Sequence, residues 1–558
     1  MLKNIFITIL LICSVSGVWG QKSVKVKVSG NVITTDGVPA EFINIQLKNT
    51  FYGGTSDGKG YFEFMAPAGQ YTMIVQSIAA HRREFPVTIE EGKENHFADI
   101  EIRENINQLE QVVVTGQFSP QSMRNSLYKV RTVNSEQIRQ KVPTSVQSLL
   151  NTEIGIRLSN DMALGETDFE LMGMSGNNVK ILLDGIPLID RGATKQSLSQ
   201  LDVNSIERVE IVEGPMSVVY GTDALAGVIN IITKKGDGYS EENTWRVGAR
   251  VQEESMGKEY DFFKDKGLHN ESIDLGFNHK SGLFVNGGYT RNNHGGWQGD
   301  LTGREKRWHP KDQALMNGMF GFQNRNMNVW YRLDFLDEKI FGPNNGSELQ
   351  PEKVSDKDFL TKRYTHQLQS DWKLDNRLDV HAALSYQDYK RRTRTTESDL
   401  STGEKWLSSA EASQDITQYK AWIARATVAW NIAPEFSVQP GVEYQWTQGE
   451  GGRIDGTPKV SDLAFFLSAE YKPWEWLSLR PGVRTFIVAD YDAPIAIPSV
   501  LTKFKLTKHM DLRLSYAYGF RSPTLQELYF SFHNDNHDID GNPDLKAEYS
   551  HNITGSVA

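Results

Sequence analysis

Residues 213–235 read EGPMSVVYGTDALAGVINIITKK, and this stretch decides how the middle of the chain folds. Its glycines stand at 214, 221 and 227, and no Lys-Ser or Lys-Thr pair follows them. A phosphate-binding loop needs GxGxxG, or GxxxxGK before Ser or Thr, between a strand and a helix, so this spacing excludes that function. The stretch predicts instead a strand over 209–212, a turn at Gly214-Pro215, a short helical piece, a turn at Gly221 and a strand over 228–233.

The residues before this stretch predict the rest of a compact domain. VKILLDGIPLID, at 179–190, places Asp-Gly between two apolar runs, which is a strong signal for a tight β-hairpin. SEQIRQ and SVQSLLN predict short helices, with Ser135 and Ser145 as candidate N-caps. Together these signals indicate a small α+β domain over residues 119–236.

The N-terminal segment MLKNIFITILLICSVSGVWG combines one lysine with an apolar run from Ile5 to Val15. It predicts a secretory signal peptide, residues 1–20, because the run is too short for the alternative, a membrane anchor. The single cysteine, Cys13, lies inside it, so the mature chain is expected to lack disulfides and cysteine-based metal sites. No later stretch reaches the roughly 18 apolar residues of a membrane helix. An exported chain of this kind is either soluble or crosses a membrane as a β-barrel.

Length and charge narrow the class of protein further. The 558 residues suffice for several domains, and 60 Lys+Arg against 70 Asp+Glu make the chain mildly acidic. This balance argues against a nucleic-acid partner, since proteins that bind nucleic acids carry basic surfaces.

Residues 21–104 have the alternation and the turn signals of a small β-sandwich. VKVKVSGNVIT and FINIQLKN alternate at period two, and TDG and SDGKG mark turns. The stretch TSDGKGYFEFMAPAGQYTMIV resembles the carboxypeptidase-regulatory-like domain, and that resemblance implies a non-catalytic spacer. The residues agree, because they contain no Ser/His/Asp set and no His/Glu metal pair, so we do not predict an enzyme.

After residue 236 the sequence changes to long runs of alternating apolar and polar residues. In the run 509–520 the residues that share the apolar face are Met510, Leu512, Leu514, Tyr516, Tyr518 and Phe520. An apolar face suits lipid and a polar face suits a wet lumen, so we predict an antiparallel transmembrane β-barrel of about 14 strands over 237–558. Turns within 433–442 and 472–483 are predicted on the periplasmic rim, and the polar connectors 391–418 and 521–548 outside the cell. A soluble β-sandwich, with the apolar face on a core, is the alternative.

VKILLDGIPL and IERVEIVEGPMSVVYGTDALAGVINIITKK resemble the plug domain of TonB-dependent outer-membrane receptors. The resemblance covers most of residues 108–236 and implies that this domain fills the barrel lumen. It also implies a TonB contact in the linker 105–118, where Val112, Val113, Val114 and Thr115 would add as a strand to TonB. The alternative for this segment is that it forms the first strand of the next domain.

The resemblance bears on the strand count as well. Plugged outer-membrane transporters have ~22 strands, so roughly eight strands are expected to be absent and the barrel to be C-terminally incomplete. A smaller closed barrel is the alternative, although it would hardly hold a plug of this size.

Residues 519–545, GFRSPTLQELYFSFHNDNHDIDGNPDL, form an acidic and aromatic segment with two histidines, His533 and His537. Imidazole can coordinate a metal complex. A calcium loop of the EF-hand type is a poor fit, because Ala547 stands where the bidentate Glu belongs.

Two short boxes in this segment, FRSP (520–523) and NPDL (542–545), resemble the paired boxes of haem receptors. That resemblance makes His533 or His537 a candidate haem ligand and places Arg521 and Asn542 among the candidate ligand contacts. A solvated loop with incidental histidines is the alternative.

The family resemblance implies an energised importer of a large scarce nutrient, most simply an iron complex such as a ferric siderophore or haem. Uptake of cobalamin or a glycan, and a non-transporting surface-binding protein, are the alternatives. The implied partners are TonB with its inner-membrane energising complex, outer-membrane lipid, the iron chelate and a surface lipoprotein. No cofactor is expected apart from iron in the transported ligand. The implied location is the cell outer membrane, with the N-terminal domain in the periplasm.

Overall fold

The computed structural model describes residues 25–34, 39–40, 43–77, 80–93, 95–102, 112–117, 121–122, 126–161, 166–189, 196–236, 242–375, 377–410, 412–451, 453–507, 510–534 and 537–558. The predicted signal peptide and most of the predicted linker lie outside these residues. The chain divides into two compact units, Met1–Val112 and Val113–Ala558. Within the described ranges, no helix has the length and apolar character needed to cross a membrane.

The first unit is a β-sandwich, as its alternating sequence predicts. Its strands are β1 (Lys25–Thr34), β2 (Asn44–Leu47), β3 (Gly53–Thr55), β4 (Tyr61–Pro67), β5 (Gly69–Ser77), β6 (Ala80–Ile89) and β7 (Asn95–Ile102). One sheet has the order β4-β1-β7 and the other the order β3-β2-β5-β6. Apolar side chains of both sheets, among them Val28, Val32, Ile45 and Phe62, are buried in one core.

The second unit begins with the small α+β domain. Its elements are β8 (Val112–Val113), β9 (Gln121–Ser122), β10 (Lys129–Val133), α1 (Ser135–Lys141), α2 (Val146–Leu150), β11 (Ile156–Asp161), β12 (Glu166–Leu171), β13 (Met174–Ser175), β14 (Val179–Leu183), β15 (Ile186–Pro187), β16 (Ile206–Glu213), α3 (Ser217–Tyr220) and β17 (Gly227–Thr233), with 3₁₀ turns at Gly176–Asn178, Gln196–Gln200 and Val203–Ser205. Five strands form a sheet of order β10-β16-β17-β14-β15. The β14–β17 pair is parallel and the other three pairs are antiparallel.

The opening stretch of sequence folds as predicted, into β16, a turn, α3, a turn and β17. All seven residues of β17 are buried, which explains why GVINIIT is a continuous apolar run rather than an alternating one. The predicted hairpin also forms, because Leu183 pairs with Ile186 around Asp184-Gly185, both of which have positive φ.

One predicted helix start is wrong by a residue. Asn134, not Ser135, is the N-cap of α1: its side chain accepts a hydrogen bond from the Gln137 amide, and the Gln137 side chain accepts one from the Asn134 amide, both at 2.9 Å. This reciprocal capping box satisfies two backbone donors, which Ser135 as cap would not allow with Gln137. Ser145 caps α2 as predicted.

The remainder of the second unit is one large antiparallel sheet and its connectors. Its elements are β18 (Thr244–Glu254), β19 (Leu268–Asn278), β20 (Leu283–His294), β21 (Lys311–Gln323), β22 (Met327–Gly342), β23 (Lys353–Lys373), β24 (Leu378–Asp399), β25 (Lys405–Leu407), β26 (Ile416–Ala433), β27 (Phe436–Gly451), β28 (Lys459–Trp474), β29 (Leu477–Ala489), β30 (Ile497–Thr507), β31 (Met510–Arg521), α4 (Leu525–Tyr529), β32 (Ser531–Asn534), β33 (His537–Asp540) and β34 (Glu548–Val557). The sheet has 15 strands, one of which, β25, pairs with β24 beside the main path, so the path from β18 to β34 has 14 strands. This number agrees with the sequence prediction.

The two faces of this sheet differ as predicted for a barrel. On β26, Trp422 and Trp430 are 43% and 49% exposed on the outer face, whereas Arg425 and Thr427 are buried. Phe520 is an exception: it was predicted to share the outer face of β31 but is fully buried in a cluster with Val218 of α3. The Phe520 ring packs edge to face on Phe486 of β29, with ring centres 5.3 Å apart, so its apolar contacts come from protein rather than lipid.

The connections alternate between short turns and longer connectors. β26 and β27 are joined by two residues, and so are β28 and β29, which places both turns on one rim, as predicted. Of the predicted connector 391–418, the first part instead continues β24 as far as Asp399. All the residues of this part, 391–399, are polar, as expected for a strand that extends beyond the apolar band.

Candidate functional site

The contact segment, residues 112–115, begins in β8 and runs along the small α+β domain. Val113 is fully buried in an apolar cluster with residues of β16, α3 and β17, while Val114 is 36% exposed. The side chain of Val112 lies outside the described residues. In this structure the segment therefore packs on the small α+β domain, with Val112–Val113 as strand β8.

Glu210 of β16 holds this segment with its carboxylate. The amide of Val114 donates to both carboxylate oxygens, at 3.2 and 3.0 Å. The amide and the hydroxyl of Thr115 donate to Oε2, at 2.8 and 2.5 Å. Arg208 donates to Oε1 at 2.9 Å, and Glu210 is fully buried. A buried carboxylate is costly unless donors satisfy its oxygens. Both oxygens of Glu210 accept such hydrogen bonds, most of them from the segment.

The next residue, Gly116, is held by two further side chains. Its amide donates to the Tyr220 hydroxyl at 3.1 Å, and its carbonyl accepts from Arg480 Nη1 at 2.5 Å. Burial raises the pKa of Tyr220 to about 12, so the hydroxyl stays protonated at neutral pH. Since Tyr220 belongs to α3 and Arg480 to β29, Gly116 connects the segment to the wall of the large sheet.

Polar side chains of the large sheet bind the backbone of the small domain at several points. They contact carbonyl oxygens in these pairs: Arg425 with Val219 at 2.7 Å, Gln369 with Asp184 at 2.9 Å, Gln387 with Pro187 at 2.7 Å and Arg363 with Ile189 at 2.8 Å. Gln387 also accepts the Ile189 amide at 3.0 Å. The small domain therefore sits against the polar face of the sheet, held through its main chain.

The turn after α3 is packed directly on this wall. A Cβ at Gly221, where φ is +72°, would lie 3.0 Å from Arg484 Nη2. Arg484 and Arg425 both bind Glu443, at 2.7 and 2.6 Å, and these three charged groups are buried. On the other side of the turn, the Ser522 amide donates to the Thr222 hydroxyl at 2.8 Å, which joins α3 to the 522–547 connector.

The predicted ligand contacts Arg521 and Asn542 meet at one residue of that connector, Glu527 of α4. Arg521 donates to both Glu527 oxygens, at 2.9 and 3.1 Å, and also binds Glu548 at 2.7 Å. The Asn542 amide donates to the Glu527 carbonyl at 3.0 Å. Arg521 thus binds two carboxylates, whereas the Asn542 side chain is exposed to solvent.

His533 lies apart from this group, on the hairpin formed by β32 and β33. Its Nδ1 contacts Asp538, and its Nε2 lies 3.1 Å from Asp540 Oδ1. The hydrogen bond to Asp538 is the main cause that raises the pKa of His533. His537 belongs to β33, and its side chain lies outside the described residues.

The sequence predicts residues 112–115 as a contact segment but does not reveal the residues that hold them and Gly116 in this structure, which are Glu210, Tyr220 and Arg480. The available signal was Glu210 itself, a carboxylate within the run IERVEIVE on a strand whose other central residues are apolar. A charged residue at such a position is rarely buried unless it is paired, so it indicates a buried partner.

Three families match this chain. Residues 28–114 match the CarboxypepD_reg-like domain, residues 122–228 the TonB-dependent Receptor Plug Domain, and residues 439–557 the TonB dependent receptor-like, beta-barrel family. Fold and matches agree: the chain carries a plug domain and a β-barrel of the kind found in TonB-dependent receptors, preceded by a carboxypeptidase-regulatory-like domain.

Curated relatives match parts of the chain. It is 32% identical over 124 residues to the Ferrienterobactin receptor of Escherichia coli K12, covering 20% of this chain and 17% of that protein. It is 32% identical over 139 residues to the Vitamin B12 transporter of Vibrio vulnificus, covering 25% and 23%. It is 25% identical over 475 residues to the Iron-regulated outer membrane virulence protein of Vibrio cholerae, covering 79% and 65%. The chain thus spans less than two thirds of each of these relatives.

Solved structures show the same fold. A variant of the ferric enterobactin receptor of Pseudomonas aeruginosa superposes with a TM-score of 0.57 at 16% identity, covering 77% of this chain and 68% of the other. The siderophore receptor PirA of the same organism gives 0.58 at 16% identity, covering 77% and 71%. At these identities the similarity concerns the fold alone.

Proposed function

We propose that this receptor is an energised importer that carries a large iron complex across the outer membrane. The observation that carries the proposal is the contact segment, whose Val114 and Thr115 donors bind the buried Glu210 carboxylate of the plug, while the plug itself is bound to the wall. A segment held in this way can be withdrawn by a partner, and its withdrawal removes support from the plug.

TonB, with its inner-membrane energising complex, is the partner we propose for the segment. Val112, Val113, Val114 and Thr115 would add as a strand to an edge of the TonB sheet, using backbone donors. The Val114 and Thr115 amides now donate to Glu210. Glu210 and the partner strand therefore compete for the same donors.

The iron complex is proposed from two relatives, named as a Ferrienterobactin receptor and an Iron-regulated outer membrane virulence protein. We propose that the long connectors face outward and recognise the ligand, with Arg521, His533, His537 and Asn542 among the contacts. Recognition requires no covalent chemistry, and iron would enter only as part of the cargo. Arg521 already makes four hydrogen bonds to Glu527 and Glu548, so an anionic ligand would compete with these carboxylates for the guanidinium.

Cobalamin is the second candidate cargo. A relative named as a Vitamin B12 transporter matches this chain at 32% identity, as high as the ferrienterobactin receptor does. The plug and wall contacts described above do not depend on which cargo is bound.

The proposed arrangement in the cell follows from these roles. Residues 1–20 direct export, residues 21–104 lie in the periplasm, and the linker 105–118 leads to the plug over 119–236. The strands over 237–558 lie in the outer membrane in contact with lipid, and a surface lipoprotein is a candidate partner on the outer side.

Uptake measurements test the proposal. Cells that lack their own receptors and express this one would be given ⁵⁵Fe-enterobactin or labelled cyanocobalamin, with Val114→Pro as the variant. Proline removes the Val114 amide, which strand addition needs and which also donates to Glu210, whereas the partly exposed Val114 side chain contributes little packing. We expect accumulation of ⁵⁵Fe in the parent and its loss in the variant and in cells without TonB. Uptake that survives both changes at equal surface levels would reject the TonB contact, and uptake of cobalamin alone would change the cargo.

A further inference from the structure

The β32–β33 hairpin presents an ordered set of metal-ligating side chains. Ser531 pairs with Asp540 and His533 pairs with Asp538 across the two strands. Residues two apart on a strand point to the same side, so these four side chains share one face of the hairpin. Backbone register therefore brings them together.

The other face of the hairpin is fixed to a neighbouring connector. The Arg453 guanidinium lies 3.8 Å from the centre of the Phe532 ring, and the Ser531 amide donates to the Arg453 carbonyl at 2.9 Å. Phe530, just before the hairpin, forms a backbone bridge with Ile454. These contacts hold the hairpin in place, so the polar face is presented in a defined direction.

On the polar face, two carboxylates converge on one imidazole. One ligand atom from each of His533, Asp538 and Asp540 lies within 4.8 Å of the others. The imidazole lies between the two carboxylates, with Nδ1 against Asp538 and Nε2 3.1 Å from Asp540 Oδ1. A divalent ion held by one atom of each group would offset the repulsion between the two carboxylates.

We propose that His533, Asp538 and Asp540 form a binding site for a divalent transition-metal ion of the Zn²⁺ class. Imidazole nitrogen with carboxylate oxygen suits Zn²⁺, whereas Ca²⁺ takes six to eight oxygen ligands and no nitrogen. Three protein ligands leave at least one position open for water or for a donor atom of another molecule. His533 is also a proposed cargo contact, but metal binding to the hairpin is measured without TonB or cargo, so the two proposals fail separately.

A zinc titration of the full chain without a histidine tag, in detergent micelles, tests this site against a zinc-binding dye. We expect one equivalent of bound Zn²⁺ in the parent and an affinity at least about tenfold weaker in His533→Ala and in Asp538→Asn, since loss of a ligand costs no less than loss of an outer-shell partner. His279→Ala is the matched control, because His279 is also exposed but bonds to Ser281 on a distant turn. Its affinity should equal that of the parent.

A second measurement separates ligation from general charge effects. The parent should prefer Zn²⁺ to Ca²⁺, because Ca²⁺ takes oxygen ligands and no nitrogen, and this preference should be lost in His533→Ala. The proposal is overturned if the parent binds no equivalent of Zn²⁺, if both site variants bind as the parent does, or if His279→Ala weakens binding equally.

Discussion

Replacing Glu210 with glutamine should release the contact segment from the plug while leaving the plug folded. Glutamine keeps the size of the side chain but removes its charge and turns one acceptor oxygen into an NH₂ group. The remaining oxygen can still accept from Thr115, whereas the NH₂ group would face donors on Arg208 or Val114. The variant thus tests the charge of Glu210 with little change in packing.

The size of the effect follows from the bonds to the carboxylate. Three donors of the segment bind it: the amides of Val114 and Thr115 and the Thr115 hydroxyl. A hydrogen bond to a charged group contributes about 1.5–3 kcal/mol and a neutral one about 0.5–1.5, so the change weakens each bond by about 1 kcal/mol. The sum, about 3 kcal/mol, shifts the balance between seated and released segment roughly 100-fold, since 1.4 kcal/mol is tenfold.

Hydrogen–deuterium exchange measures this shift directly. Amides in a peptide spanning 112–117 should exchange roughly 100-fold faster in Glu210→Gln if exchange follows release of the segment. Amides of β17 should remain protected, because their bonds to β16 and β14 are unchanged. Glu213→Gln is the matched control, since Glu213 ends the same strand and binds Lys129 and Arg131 rather than the segment. Equal protection of 112–117 in Glu210→Gln and the parent would refute the assignment of Glu210 as the residue that holds the segment.

Three further predictions follow from other parts of the structure. Gly221→Ala should push Arg484 away from the turn and speed exchange of the α3 amides, because the added Cβ would lie 3.0 Å from Arg484 Nη2 and the φ of Gly221 is positive. Unchanged exchange would show that Arg484 moves aside without disturbing α3. Phe169→Ala should destabilise the plug by about 3–5 kcal/mol, since the ring is fully buried, as measured by urea-induced loss of exchange protection in β12. The hydrogen bond to Asp538 raises the pKa of His533. The stability that this bond gives the hairpin is therefore present below the pKa of His533 in the unfolded chain and is lost as pH rises through its pKa in the folded chain. Proteolysis within 531–540 should increase at alkaline pH in the parent but not in His533→Ala.

The parts of the fold that the sequence predicts are those decided by neighbouring residues. The β16–α3–β17 order follows from glycines and apolar runs within one short stretch, and the Asp184-Gly185 hairpin follows from a two-residue turn signal. Alternation also predicts which face of β26 meets lipid, because the pattern repeats every second residue. Each of these needs no knowledge of distant residues.

The candidate site depends on residues that are far apart in sequence. The Val114 amide and Glu210 are separated by 96 positions, and Gly116 and Arg480 by 364. Alternation places Arg480 on the polar face of β29 but does not say which plug atom it meets. The burial of Phe520 is a further example, because its cluster contains Val218 of the plug and Phe466 and Phe486 of other strands.

The helix α3 contacts both the 522–547 connector and the residue that follows the contact segment, and the two contacts can be tested together. Ser522 binds Thr222 just after the helix, and the hydroxyl of Tyr220, the last residue of the helix, accepts the Gly116 amide. Tyr220→Phe removes one hydrogen bond, which costs about 1–2 kcal/mol and should speed exchange at Gly116 roughly tenfold. If α3 moves as one body, Thr222→Val should also speed exchange at Gly116, and the double variant should show less than the sum of the two effects. If Thr222→Val changes exchange only around Ser522, the two ends are independent and α3 does not transmit between them.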